Sequence, residues 1–85
     1  MPKDTVRSVW DNGGRTVDRY AILFDAPASW KGPGWYEAIL ASHRQDPGGV
    51  YMHEVAEEGE HLGTQITLDD LPEALRKNLF LDFGV

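Results

Sequence analysis

Alternating apolar positions predict strands over the first two thirds of the chain. Residues 5–10 are rich in β-branched and aromatic side chains, which is typical of a strand. Residues 16–25 carry apolar side chains on both faces of a second strand. These are Tyr20, Ile22 and Phe24 on one face and Val17, Ala21 and Leu23 on the other. Because both faces are apolar, we expect this second strand in the interior of a sheet.

The connection between these two strands contains Asn12 and Gly13, followed by Gly14. An Asn-Gly pair between strands favours a two-residue type I′ turn, since both central residues need a positive φ. We therefore predict a hairpin turn at Asn12-Gly13. The glycines also resemble a phosphate-binding loop, but the Gly-Lys-Ser/Thr ending is missing and a strand follows instead of a helix.

Residues 35–42 fit two patterns. Trp35, Ile39 and Ser42 have helical spacing, whereas Tyr36, Ala38, Leu40 and Ser42 alternate as in a strand. The segment begins directly after a Pro-Gly pair with two aromatic residues and no helix cap, so we predict a strand. Loops rich in Pro and Gly are predicted on either side, at residues 26–34 and 44–49.

The rest of the chain predicts a strand, a short edge strand and one helix. Residues 50–56 form the strand, the charged turn 57–60 ends it, and residues 65–68 are expected to add the edge strand. The helix is indicated by a leucine at every fourth position, and it must begin close to Pro72. These leucines are Leu71, Leu75 and Leu79, and Thr67 with Asp70 forms a capping-box pattern before them.

Together these elements predict an α+β fold in one domain, residues 1–85. The expected architecture is an antiparallel sheet of about four strands with the C-terminal helix packed on one face. A chain of 85 residues leaves little interior for a deep substrate pocket, and this lowers the expectation of an enzyme.

Composition indicates a cytoplasmic protein. The chain has no cysteine, so it offers neither a disulfide framework nor a thiolate zinc site. It contains no apolar run of about 18 residues for a membrane span. Its first residues, Met1 to Asp4, lack the apolar stretch of a signal peptide. We expect no membrane association.

The net charge of −6 is unevenly distributed. Residues 1–44 carry six Lys/Arg and five Asp/Glu, whereas residues 45–85 carry two and nine. An acidic half disfavours direct nucleic-acid binding, which depends on neutralising phosphates. It favours docking on a basic protein surface, although the same charges could simply keep the protein in solution.

Three residues spaced by four, His53, Glu57 and His61, have the spacing of metal ligands on one helix. His53 lies in a predicted strand and Gly59 interrupts the segment, so no helix brings the three together. Neither histidine has a carboxylate or nucleophile placed for acid–base chemistry. We predict no catalytic residue, metal site or cofactor.

Aromatic and acidic residues give the candidate partner-binding site. Exposed Trp and Tyr dominate interface hot spots, and a Pro/Gly-rich loop can hold them at the surface. The candidates are Trp30, Trp35 and Tyr36 with Glu54, Glu57, Glu58 and Glu60. The carboxylates are expected to be solvated at a strand end and turn. The alternative is that two of the three aromatic side chains fold back to cap the core.

Two segments, WDNGGRTVDRYAILFD (residues 10–25) and GEHLGTQITLDDLPEALRK (residues 59–77), resemble a family of small proteins from bacteriophages, prophages and plasmids. The family pairs a "DNGG-T-DRY" hairpin with a "G-HLG" turn and a closing "DLPE-LRK" helix. By this resemblance Asp11 to Gly14, His53 and His61 occupy motif positions. Residues 64–68 depart from the family pattern because they are uncharged where relatives tend to be basic. The family is chiefly uncharacterised.

The resemblance to mobile-element proteins implies a class of function. Small acidic proteins of this origin often inhibit host machinery by stoichiometric binding, and anti-CRISPR proteins are the example we favour. The expected partner is a host protein or nucleoprotein complex with a basic surface. One alternative is an accessory or regulatory protein of phage or plasmid replication. Another is a small metal-dependent enzyme that uses His53 and His61, whose imidazoles would then share one cleft.

Overall fold

A computed structural model of the chain describes residues 6–15, 19–41 and 51–83. Within these residues, five strands precede a single α-helix. The strands are β1 (Val6–Asp11), β2 (Tyr20–Pro27), β3 (Trp35–Ala41), β4 (Tyr51–Glu57) and β5 (Thr64–Ile66). The helix α1 spans Glu73–Phe83, and single 3₁₀ turns at Glu60–Leu62 and Leu68–Asp70 flank β5.

The strands form one sheet in the order β4-β3-β2-β1-β5, and every neighbouring pair is antiparallel. The predicted α+β class is therefore confirmed, and β2 lies at the centre of the sheet as its two apolar faces predicted. The sheet has five strands instead of about four because the short edge strand does form, as β5.

Each face of the sheet carries its own apolar core. One face, here called the helix face, packs Tyr20, Ile22 and Phe24 against the leucines of α1. The opposite face, here called the crossing face, packs Ala21 and Leu23 in a second cluster. These assignments confirm the predicted alternation of β2. Val17 lies outside the described residues.

Residues 35–41 form a strand, as predicted, with neighbouring side chains on opposite faces. Ile39 and Ala41 are buried on the helix face, whereas Ala38 and Leu40 pack on the crossing face. A helix here could not fill both cores at once. The final residue of the prediction, Ser42, and the loop 44–49 lie outside the described residues.

The helix begins at Glu73, directly after Pro72, and Leu71, Leu75 and Leu79 are buried against the sheet. The Asp70 carboxylate accepts hydrogen bonds from the N–H and hydroxyl of Thr67, both at 3.0 Å. This pair closes the 3₁₀ turn Leu68–Asp70 and not α1 itself. The reason is that Leu71 is extended, with ψ 152°, as the residue before a proline usually is.

The predicted two-residue turn at Asn12-Gly13 is wrong. Asp11 pairs with Tyr20 and the Asn12 N–H donates to the Arg19 carbonyl at 2.9 Å, so the connection is longer and β2 begins later than predicted. Positive φ falls on Gly13 (75°) and Gly14 (88°), and on no non-glycine residue that the structure describes. Residues 16–18, where the return strand was expected to begin, are not among the described ones.

Local side-chain hydrogen bonds explain this longer loop. The Asp11 carboxylate accepts from the Gly13 N–H at 2.8 Å. The Asn12 side-chain oxygen accepts from the N–H groups of Gly14 and Arg15, at 2.8 and 3.1 Å. Asx side chains that bond the following backbone offer an alternative to the tight hairpin turn.

The connection from β4 to β5 crosses the sheet. Glu57 pairs with Trp35 at one end of the strands, whereas Thr64 pairs with Asp11 at the other end. The six residues 58–63, here called the crossing segment, must therefore pass over a face. Leu62 packs into the second apolar cluster, which places the segment on the crossing face, opposite α1.

The crossing segment ends at Gly63, where only glycine fits. Its φ is 108°, and a Cβ at this position would overlap the carbonyl oxygen of Asp11 and the Cα of Asn12. The close approach of the two backbones explains why a glycine stands at this point of the "G-HLG" pattern.

We expect Gly63→Ala to destabilise the protein by about 2–5 kcal/mol, because a strained φ adds to a backbone overlap. Gly14→Ala is the matched control. Its φ is also positive, but a Cβ there meets no atom within 4 Å, so a loss of only about 1–2 kcal/mol is expected. Urea unfolding measures both, and equal losses would show that the overlap at Gly63 is relieved without cost.

Candidate functional site

Trp30 is held at the surface by an ordered loop between β2 and β3. In this loop, residues 28–34, the Ala28 N–H donates to the Trp35 carbonyl at 2.8 Å, and the Lys31 N–H donates to the Ala28 carbonyl at 2.9 Å. The Trp30 side chain is 71% exposed. An indole this exposed, on a loop fixed by its own backbone hydrogen bonds, is typical of an interface anchor.

Tyr36 packs against the apolar cluster of the crossing face, as in the alternative interpretation, whereas Trp35 belongs to neither of the two clusters formed by the described residues. Both are half-buried. The Lys31 ammonium lies 4.9 Å from the ring centroid of Trp35, and the Arg7 guanidinium carbon lies 4.3 Å from that of Tyr36. The cation over each ring partly shields that ring from solvent. Trp30 is therefore the most exposed of the three candidate aromatic side chains.

The Trp30 loop adjoins the end of β4. The Glu58 N–H donates to the Gly34 carbonyl at 3.0 Å, and Glu57 pairs with Trp35 in the sheet. The register places Glu57 on the helix face and Glu54, opposite Ala38, on the crossing face. The predicted acidic segment is therefore divided between the two faces.

Three of the four candidate carboxylates are solvated as expected. Glu54, Glu57 and Glu60 are exposed, and none has a hydrogen bond or ion pair from its side chain among the described residues. Trp30 lies on the loop that leads into β3, and Glu57 pairs with Trp35, the first residue of β3, so both exposed candidates lie at the same end of the sheet. We call these two residues the Trp30 surface.

Glu58 departs from the prediction of a solvated carboxylate. Its side chain is half-buried and accepts hydrogen bonds from Arg7 Nε at 3.1 Å and from the Ser8 hydroxyl at 2.6 Å. The Trp10 Nε1–H in turn donates to the Ser8 oxygen at 2.8 Å. Glu58 therefore binds the first strand and contributes little free charge to the surface.

Arg7 completes this cluster through an ion pair with Asp25 at 3.2 Å. The hydrogen bond to Asp25, followed by the one to Glu58, raises the pKa of Arg7 above its ordinary value. Simple alternation would place Arg7 and Ser8 on opposite faces, but the register of β1 shifts between Val6 and Ser8. Such a bulge re-aims side chains, which is why both reach Glu58.

The glycine-rich loop after β1 does not form an anion site. The N–H groups of Gly13, Gly14 and Arg15 all donate to the side chains of Asp11 and Asn12. An incoming phosphate would have to displace these bonds and approach the Asp11 carboxylate. Arg19 binds Asp11 through two nitrogens at 2.7 and 3.1 Å.

The two candidate metal-binding histidines do not converge. His53 lies on β4 opposite Ile39, on the helix face, and its Nε2 is 3.3 Å from Glu37 Oε1. His61 belongs to the crossing segment on the other face, next to Leu62. The two imidazoles therefore lie on opposite faces of the sheet and share no cleft. No group of three metal-ligating side chains is found in the part of the chain that the structure describes.

No protein-family model, curated protein or solved structure matches the chain. Among the helices of the described residues, none has the length and apolar character needed to span a bilayer.

The Glu58 cluster gives a stability prediction. Ser8 is only 6% exposed, and Ser8→Ala leaves the buried Trp10 Nε1–H without its acceptor. We expect a loss of about 1–3 kcal/mol in the free energy of unfolding by urea. Ser29→Ala, at an exposed loop position, should stay within about 0.5 kcal/mol of the wild type. A Ser8 variant as stable as the Ser29 variant would mean that the indole finds another acceptor.

Proposed function

We propose that the protein is a non-enzymatic binding module that docks on a partner protein through the Trp30 surface. The observation that carries this proposal is the exposure of Trp30 on a loop whose backbone is already hydrogen-bonded. A pre-ordered loop loses little conformational entropy on binding, so less of the free energy gained by burying the indole is offset by ordering the loop.

Charge supports a basic partner. Glu57 pairs with Trp35, where the loop that carries the aromatic anchor ends, and has no ion-pair partner among the described residues, and the whole chain carries −6. Glu58 and Asp25 share one cation, Arg7, so their contribution to the outward field is reduced but not cancelled. Acidic charge of this kind mainly raises the association rate with a basic surface, whereas a buried aromatic slows dissociation.

The resemblance to phage, prophage and plasmid proteins narrows the proposed partner. A nucleoprotein complex of host defence has a basic groove that normally holds nucleic acid, and an acidic module with an aromatic anchor fits its rim. We therefore propose a stoichiometric, anti-CRISPR-like inhibitor that acts in the host cytoplasm. A replication factor with a basic groove would be bound through the same surface.

The test is affinity capture from a bacterial host lysate, followed by binding kinetics with the captured protein. Trp30→Ala should raise the dissociation rate at every salt concentration, by about tenfold or more if the indole is a hot spot. Trp30→Phe keeps an aromatic anchor and should retain most of the affinity. Competing nucleic acid should displace the module if its target is a nucleic-acid groove.

A charge reversal distinguishes the effect of charge on the association rate from the effect of the indole on the dissociation rate. Glu57→Lys should lower the association rate, and more so at low salt than at about 0.5 M, where charges are screened over about 3–5 Å. Glu54→Lys makes the same change in net charge on the other face of the sheet and should have the smaller effect. A partner that is indifferent to Trp30→Ala and to Glu57→Lys would exclude this surface.

A further inference from the structure

The outer face of α1 is apolar at its C-terminal end. Leu75 and Leu79 are buried against the sheet, so the opposite side of the helix faces solvent. Phe80 and Leu81 are nevertheless 62% and 67% exposed there. With Trp30, they are the exposed large apolar residues of the described part of the chain. Neither Phe80 nor Leu81 belongs to the Trp30 surface.

An open groove runs along this outer face and contains both signs of charge. Its lining residues are Leu68, Asp69, Glu73, Arg76, Lys77 and Phe80. Arg76 is paired with Asp69 at 2.7 Å, whereas Glu73 and Lys77 have no ion-pair partner among the described residues. Two acidic and two basic groups make the groove neutral, although the chain carries −6.

The position of these basic residues is unusual in the sequence. Arg76 and Lys77 are the two basic residues in 45–85, against nine acidic ones. Both lie in the groove. Two copies of a protein with charge −6 repel each other over most of their surface, and a neutral patch is where they approach at the lowest electrostatic cost.

We infer that this groove is a self-complementary interface for a second copy of the chain. Along the groove the order is Leu68, then acidic Glu73, then basic Lys77, then Phe80. An antiparallel copy related by a two-fold axis that crosses the outer face midway between Glu73 and Lys77 sets each Glu73 against Lys77 of the other copy. The same operation carries Phe80 towards the Leu68 end of the second groove. Such isologous contacts are the commonest form of protein oligomer.

One helix face makes a small interface, so the dimer is weak. Specific interfaces usually bury at least about 1,200 Å², and a single helix face falls at or below this. We expect a dissociation constant between about 1 μM and 1 mM. In this range the protein is a monomer when dilute and a dimer when concentrated.

Sedimentation equilibrium of the full chain, from about 0.1 μM to about 1 mM, tests this. The wild-type mass should rise from 9.5 kDa towards twice that value. Phe80→Glu should remain monomeric, since Phe80 lines the groove and its side chain is exposed, so the replacement leaves the core intact. Trp30→Glu, the same change at an exposed aromatic outside the groove, should dimerise like the wild type.

A charge exchange distinguishes contact between copies from effects within the helix. Glu73→Lys alone sets lysine against lysine, and Lys77→Glu alone sets glutamate against glutamate, so each variant should remain monomeric. An equimolar mixture should dimerise, because every Lys then faces a Glu of the other copy. Within its own helix each variant places like charges at positions 73 and 77, so the recovery cannot come from the helix itself.

The inference is overturned by a wild type that stays monomeric at about 1 mM, by a dimer that survives Phe80→Glu, or by a mixture that stays monomeric. A dimer abolished by Trp30→Glu would also overturn it and would indicate contact through the Trp30 surface. Circular dichroism of each variant confirms that α1 is folded, and the mixture of the two charge variants provides the second test if Phe80→Glu unfolds.

Discussion

The structure depends on the hydrogen bonds that fasten the crossing segment to the first strand. Because β4 and β5 run in the same direction at opposite edges of the sheet, residues 58–63 must cross a whole face before β5 can pair. Glu58 binds Arg7 and Ser8 at the start of this path, and Gly63 lies against Asp11 at its end. If either attachment fails, β5 loses its place beside β1, and the chain that leads to α1 starts from the wrong position.

This constraint also shapes the surface. Two neighbouring glutamates at the end of β4 have different environments. Glu57 is exposed to solvent next to the Trp30 loop, whereas Glu58 is half-buried and bonded to Arg7. The same arginine lies over Tyr36 and pairs with Asp25, so one cation covers a ring and is shared by two carboxylates. Because Glu58 is hydrogen-bonded to the first strand, the exposed carboxylates of the acidic segment are those of Glu54, Glu57 and Glu60.

Local patterns predicted the parts of the fold that local chemistry decides. The alternation of β2, the strand at residues 35–41 and the leucine stripe of α1 follow from periodicity, since each face must meet a core. The prediction of a two-residue hairpin turn was wrong because the Asp11 and Asn12 side chains accept hydrogen bonds from the backbone N–H groups of Gly13 and Gly14. These bonds stabilise a longer loop in place of the type I′ turn. The prediction that Glu58 is solvated was wrong because its partners, Ser8 and Arg7, lie 50 and 51 positions away in the sequence and a bulge in β1 turns both side chains towards it. The periodicity of the sequence cannot predict such distant contacts.

The two proposed surfaces are compatible with each other. They share no residue, because the groove on α1 is lined by residues of 68–80 and the Trp30 surface consists of Trp30 and Glu57, so one copy has a separate set of side chains for each contact. A partner that offers two basic sites could then be held at two points. Once one copy is bound, binding of the second copy becomes intramolecular. The gain in overall affinity then depends on the effective concentration of the second copy and requires no new contact. Weak dimerisation would in this way strengthen a module whose single anchor is one indole.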